Sequence, residues 1–186
     1  MFVHRSYSIK ALFKSFFLLL SLALLFICNF SQAGGGEKSE EFLNACMSGD
    51  LSKVQNYLSS GADFNAAIDG LTGLMLAACK GHTEIAELLI ENGANINAAG
   101  ENGWTALMLA AENNKKEVVK LLIGKGANVN AMRENGWTPM ISTAQNNHKV
   151  LVELLIDRGA SVNAMRENVV TALMSAAYSS SPIKMS

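Results

Sequence analysis

Three histidines and three cysteines are all that this chain of 186 residues contains. His4 and Cys28 stand in the first 33 residues, which leaves His82, His148, Cys46 and Cys79 for the remainder. No Ser/His/Asp grouping, phosphate loop or C-x-x-C pair can be found in the sequence, so the usual signatures of nucleophilic, nucleotide-dependent and redox chemistry are absent. Catalytic residues, metal ligands and cofactors are therefore all expected to be none. Basic charge is equally short. The first 33 residues carry Arg5, Lys10 and Lys14 and no acid, leaving 12 basic against 16 acidic residues beyond them. A remainder of about -4 has nothing to neutralise a phosphate backbone, so nucleic acid is not an expected partner.

Long apolar runs are missing too, except one. Phe16 to Ile27 is apolar apart from Ser21, follows the basic start, and precedes "SQA" at 31–33. These are the three parts of an export signal. Twelve residues fall short of the roughly 20 that cross a bilayer, so residues 1–33 are expected to be cleaved after Ala33 rather than kept as an anchor. Membrane contact is then transient, and the mature chain is periplasmic or secreted. Ile27 is bulkier than the small residue expected before a lipid-modified cysteine, which makes lipidation at Cys28 the minor alternative. "GGGEKSE" at 34–40 reads as a flexible lead-in.

What is present in quantity is repetition. "ENGWTALM" at 101–108, "ENGWTPMI" at 134–141 and "ENVVTALM" at 167–174 each start 33 residues after the one before. Gly93, Gly126 and Gly159 keep the same period, and Gly61 precedes Gly93 by 32 because one loop is shorter. An active site is built once per domain, whereas a scaffold element can recur. With 49% hydrophobic and 17% charged residues, the chain suits one packed domain: a degenerate first repeat at 41–66, full repeats at 67–99, 100–132 and 133–165, and a partial repeat at 166–186.

Each unit reads as two short helices and a turned connection. Thr72, Thr105, Thr138 and Thr171 stand at helix N-caps, and Pro139 fills the first helical position, where a missing N–H costs nothing. Ala77, Ala78, Ala110 and Ala111 allow close approach of the next unit. Val118, Val119, Leu121, Leu122 and Ile123 make the second helix apolar on two sides, and the glycine after it supplies a left-handed cap. Helices this short do not stand alone, so stability is a sum over units and interfaces.

A sustained 33-residue period of this kind is an ankyrin signature, and residues from about Glu41 to Tyr178 resemble the ankyrin-repeat family. Gly103, Thr105, Leu107, Ala110 and Ala111 match its "G-x-T-P-L-H-x-A-A", Glu117 to Leu122 its middle phrase, and Gly126 to Ala131 its "G-A-D-V-N-A". Departures are proline kept only at Pro139, the family histidine replaced by Met75, Met108, Ile141 and Met174, and a turn glycine replaced by Asn114 and Asn147. Asparagine tolerates the left-handed conformation next best, so the turn is expected to survive.

The resemblance implies an all-α ankyrin solenoid of helix-turn-helix units joined by β-hairpin-like loops, non-catalytic, binding another protein on a concave face of hairpin tips and first helices. Carried over by position, that face holds Asp69, Leu71 and Lys80; Glu101, Asn102, Trp104, Glu112 and Asn113; Glu134, Asn135, Trp137, Gln145 and Asn146; and Glu167 and Tyr178. Met132, Arg133, Met165 and Arg166 fall at hairpin tips. Trp104 and Trp137 share one repeat position, so they are expected about 8 to 10 Å apart. Exposed, they make a hot-spot pair. Packed over their own hairpins, they serve the scaffold, and buried area favours that reading.

The remaining residues follow from the repeat geometry. His82 and His148 lie two repeats, roughly 20 Å, apart by helix spacing, too far to share a metal or a base; a capping or loop role is expected of each. Cys46 and Cys79 sit on neighbouring helices, whose spacing exceeds the roughly 7 Å that a disulfide needs, so buried free thiols are expected despite export. Glu84, Glu87 and Glu153 read as a solvated face. The partial repeat leaves no room for a second helix before Ser186, so Val150 to Ile156 is expected to lack a neighbour on one side. Self-association through that end is the alternative to partner binding.

Overall fold

In the computed structural model, residues 36–163 and the backbone of residues 165–166 and 170–171 are described. The expected export signal at 1–33, Glu167, Tyr178 and most of the fifth unit lie outside the described residues. The described residues from Lys38 onward belong to one compact unit.

The chain order is α1 (Gly36–Ser48), α2 (Leu51–Ser59), β1 (Ala67–Ile68), β2 (Leu71–Thr72), α3 (Gly73–Lys80), α4 (Thr83–Glu91), a 3-10 turn (Glu101–Gly103), α5 (Ala106–Glu112), α6 (Lys116–Gly124), α7 (Pro139–Gln145), α8 (Lys149–Asp157), β3 (Met165–Arg166) and β4 (Val170–Thr171). The chain folds as an all-α ankyrin-type solenoid. First helices stack as α3 on α5 on α7, and second helices as α2 on α4 on α6. The strands are two-residue hairpins, with Ile68 paired to Leu71 and Arg166 to Val170.

Local chemistry explains the boundaries. The Thr72, Thr105 and Thr138 hydroxyls each accept the backbone N–H three residues on, at 3.3 Å, and Pro139 opens α7. The turn between helices uses Gly81 at φ 90° in one unit, and Asn114 and Asn147 at φ 56° and 57° in the next two. Asparagine thus holds the left-handed position, as expected.

First helices are buried nearly all round. Met75, Met108 and Ile141, which stand where the family places histidine, are each at most 1% exposed. A thioether or an aliphatic chain fills that position without needing a polar partner. Gly73 marks the tightest approach, since a Cβ there would meet the Cys46 Sγ at 3.0 Å and the Phe42 ring at 3.2 Å. Phe42 in turn meets Tyr57 edge-on, with centroids 6.3 Å apart, a favoured aromatic arrangement.

One boundary differs from the sequence reading. Residues 36–40, read as flexible lead-in, are the opening turns of α1. Gly36 does not stop the helix, because Phe42, Leu43, Ala45 and Cys46 are buried and hold it to the stack.

The units are tied on their outer edge by asparagine. Asn65, Asn97 and Asn130 each accept, through Oδ1, a backbone N–H of the following unit at Asn95, Asn128 and Ser161, at 2.8 to 2.9 Å. Asn97 and Asn130 also donate Nδ2–H to the carbonyls of Gly126 and Gly159.

Candidate functional site

The candidate face is assembled from two registers, the turn that precedes each first helix and the last residues of that helix. On the turns, Asp69, Glu101, Asn102 and Glu134 are exposed, while Leu71, Trp104 and Asn135 are half-buried. At the helix ends, Lys80 and Asn146 are exposed, and Glu112, Asn113 and Gln145 are half-buried.

Several of these side chains are already engaged. Asn113 Nδ2 donates to the Leu109 carbonyl at 2.8 Å and reaches Cys79 Sγ at 3.5 Å. Asn146 Nδ2 donates to the Ser142 carbonyl at 2.9 Å. Each amide is a second donor to a carbonyl that already accepts the same residue's backbone N–H, a use at the helix end that the position-by-position reading did not anticipate. Asn135 Oδ1 accepts the Trp137 backbone N–H at 3.2 Å, which fixes the turn.

The two tryptophans are not equivalent. Trp137 is 2% exposed, and its Nε1–H donates to the Ser142 hydroxyl. It is therefore unavailable as a surface contact, which corrects the reading that offered both indoles to a partner. The physical reason lies in α7, where Ser142 replaces the Leu76 and Leu109 of the preceding units: a smaller, polar residue makes room for the indole and satisfies its N–H. Trp104 stays half-buried, with the Arg133 guanidinium carbon 4.3 Å from its ring centroid.

Arg133, read only as a hairpin-tip residue, is a central member of the site. It crosses from its own unit to the one before, donating Nε–H to the Asn102 carbonyl at 2.8 Å while stacking on Trp104. Asn102 is at φ 57°, which presents that carbonyl at the turn. The signal in sequence is that arginine occupies this position where the preceding unit has Gly100.

Glu112 closes α5 beside this group. Burial pushes its carboxyl up to about 7, and the Arg133 charge pulls it partly back. Met132, next to Arg133, is 65% exposed. An indole, a guanidinium and a half-buried carboxyl thus meet at one joint of the stack.

The histidines tie units together, which corrects the capping role expected of them. Neither His82 nor His148 makes a side-chain cap bond. The His82 Nε2 instead stands 3.1 Å from the Met47 carbonyl oxygen, and the His148 Nε2 stands 2.9 Å from that of Glu112. A carbonyl only accepts, so each ring donates its N–H and fastens one unit to the one before. Cys46 and Cys79 are both free; burial pushes Cys46 up to about 12 and Cys79 upward as well. Among the described residues no group of three His, Cys, Asp or Glu side chains is arranged to hold a metal, and no helix is long and apolar enough to cross a membrane.

A family model described as ankyrin repeats (three copies) matches residues 42–133 and 126–184. Over 62 residues, 33% of the chain, the sequence is 40% identical to an ankyrin repeat, SAM and basic leucine zipper domain-containing protein 1 from Carollia perspicillata. The counterpart from Eulemur macaco macaco is 42% identical over a segment of the same length. Each match spans 13% of the relative's own length, so it concerns the repeats and not the rest of those proteins.

Proposed function

This chain belongs to the ankyrin-repeat family, and we propose that it is an exported, non-catalytic module that binds a protein partner on its concave face. Ankyrin repeats are generally protein–protein interaction modules. The observation that carries the reading to this face is the joint at Trp104, where an indole, Arg133 and Glu112 remain accessible while the matching Trp137 is buried. Aromatic and arginine side chains are the residues that most often concentrate binding energy. Export rests on the basic, apolar and small-residue sequence of 1–33. Nucleic acid stays outside the proposal because the remainder of the chain is acidic.

The experiment is affinity capture from the exported fraction with chain 34–186, followed by a measured affinity for the captured protein. Trp104→Ala is expected to weaken binding at least tenfold, and Glu87→Ala on the second helix to leave it unchanged. Equal effects would refute the face. Intact mass of exported material is expected to start at Gly34, and a chain retaining residues 1–33 would refute cleaved export.

A second reading, a self-associating structural protein, is favoured by one observation. Val150 and Ile156 on α8 are 53% and 48% exposed, leaving apolar surface at that edge of the stack.

A further inference from the structure

Glu112 is an unusual residue for its register. The corresponding residues of the flanking units are Cys79 and Gln145, so the carboxyl stands alone in a row of otherwise neutral side chains. It is half-buried, and among the described residues no side chain or backbone group donates a hydrogen bond to it. A partly desolvated carboxylate without donors is held in an unfavourable state that a cation can relieve.

The charged and titratable groups around it are few. Arg133, from the following turn, is the described cation that acts on its carboxyl, but its guanidinium is drawn onto Trp104 and its Nε–H onto Asn102. From α3, Cys79 feels Glu112 together with Lys80 and Lys115. From the start of α8, His148 directs its Nε2–H at the Glu112 backbone carbonyl, not at the carboxyl. The neighbouring turns add Asp69, Glu101 and Glu134, all exposed.

We propose that the Glu112 carboxylate receives a cationic side chain, lysine or arginine, from a protein partner lying across the hairpin tips, with Trp104 as its apolar neighbour. This rests on the concave-face reading and adds the chemistry of the occupant. Charge complementarity carries it: the exposed charged residues of the turns, Asp69, Glu101 and Glu134, are acidic, Arg133 is engaged within the fold, and the half-buried Glu112 carboxyl lacks donors. A partner's ammonium or guanidinium restores what burial removed, and Trp104 can pack its alkyl stem.

The test uses a displayed library of random dodecapeptides selected at pH 8 against chain 34–186. Selected peptides are expected to be enriched in Lys or Arg. Their affinity should fall about tenfold on Glu112→Gln, about the size of one charge-assisted contact, and be largely kept by Glu112→Asp. It should fall similarly in wild type at pH 5.5, where Glu112 is protonated and the peptide is still charged. Thermal unfolding of both variants confirms that they are folded. Peptides weakened by Trp104→Ala yet indifferent to charge, pH and Glu112→Gln would overturn this inference and leave the concave-face reading standing. Selection of carboxylate-rich peptides would overturn it in favour of Arg133 as the contact. Binding indifferent to both Trp104→Ala and Glu112→Gln, or no binding at all, would remove both readings.

Discussion

The Arg133 guanidinium carbon lies 4.3 Å from the centre of the Trp104 ring, bridging two successive units. The equivalent indole one unit later, Trp137, is sealed inside and bonded to Ser142. One repeated phrase thus supplies a surface feature in one unit and core in the next.

The difference sets the first prediction. Trp137→Ala should cost about 3–5 kcal/mol, the range for emptying a buried aromatic site, whereas Trp104→Ala should cost on the order of 1 kcal/mol, the scale of a partly exposed cation–π contact. Urea unfolding of the two variants measures both. Equal losses would mean that Trp104 is as much a core residue as Trp137.

The repeat architecture, the threonine N-caps, the glycine and asparagine turns and the free cysteines were all legible in the sequence, because period and capping chemistry are local. The fate of each tryptophan was not. It depends on Ser142, five residues further on, and on how the next unit closes over the indole. Arg133 was visible as a tip residue, but its reach back to Asn102 and Trp104 needs the stacking distance between units. The lead-in reading failed at Gly36 because burial of Phe42 and Cys46 outweighs a weak helix start.

Histidine offers a second test. Asparagine is a better N-cap than histidine, so if capping governed position 148, His148→Asn would be neutral or stabilising. Because the ring donates to the Glu112 carbonyl of the preceding unit, the substitution should instead destabilise by about 1 kcal/mol, the net worth of one hydrogen bond. Chemical denaturation decides between the two signs.

The asparagine ties predict a graded pattern. Asn97 and Asn130 each make two bonds to the following unit, whereas Asn92 bonds only the Leu88 carbonyl of its own helix. Alanine at 97 or 130 should cost roughly 1–2 kcal/mol and at 92 less than about 0.5 kcal/mol, given modest net bond energies at exposed sites. A ladder without energetic content would show three equal, small values.

Glu112 predicts a pH signature. Its folded carboxyl is raised from 4.5 to about 7, so between those values the folded state holds more protons and stability falls as pH rises. Glu112→Gln removes the penalty. The variant should match wild type near pH 4 and exceed it by about 1–2 kcal/mol at pH 8, a shift discounted for partial exposure. Unfolding midpoints across that range provide the check, and a constant difference at all pH values would exclude titration of Glu112 as the cause.

The last prediction concerns the α8 edge. Val150 occupies the position held by Glu84 and Glu117 in the two preceding units, both of which are exposed. An apolar residue on a solvated register contributes little to folding, because removing it from the surface buries nothing. Val150→Glu should therefore alter unfolding free energy by less than about 0.5 kcal/mol, and in sedimentation it should abolish any concentration-dependent association that wild type displays. A loss above about 2 kcal/mol, the scale of a covered aliphatic side chain, would show that Val150 is buried in solution. Association that persists in the charged variant would separate it from α8 and leave the self-associating reading without its supporting surface.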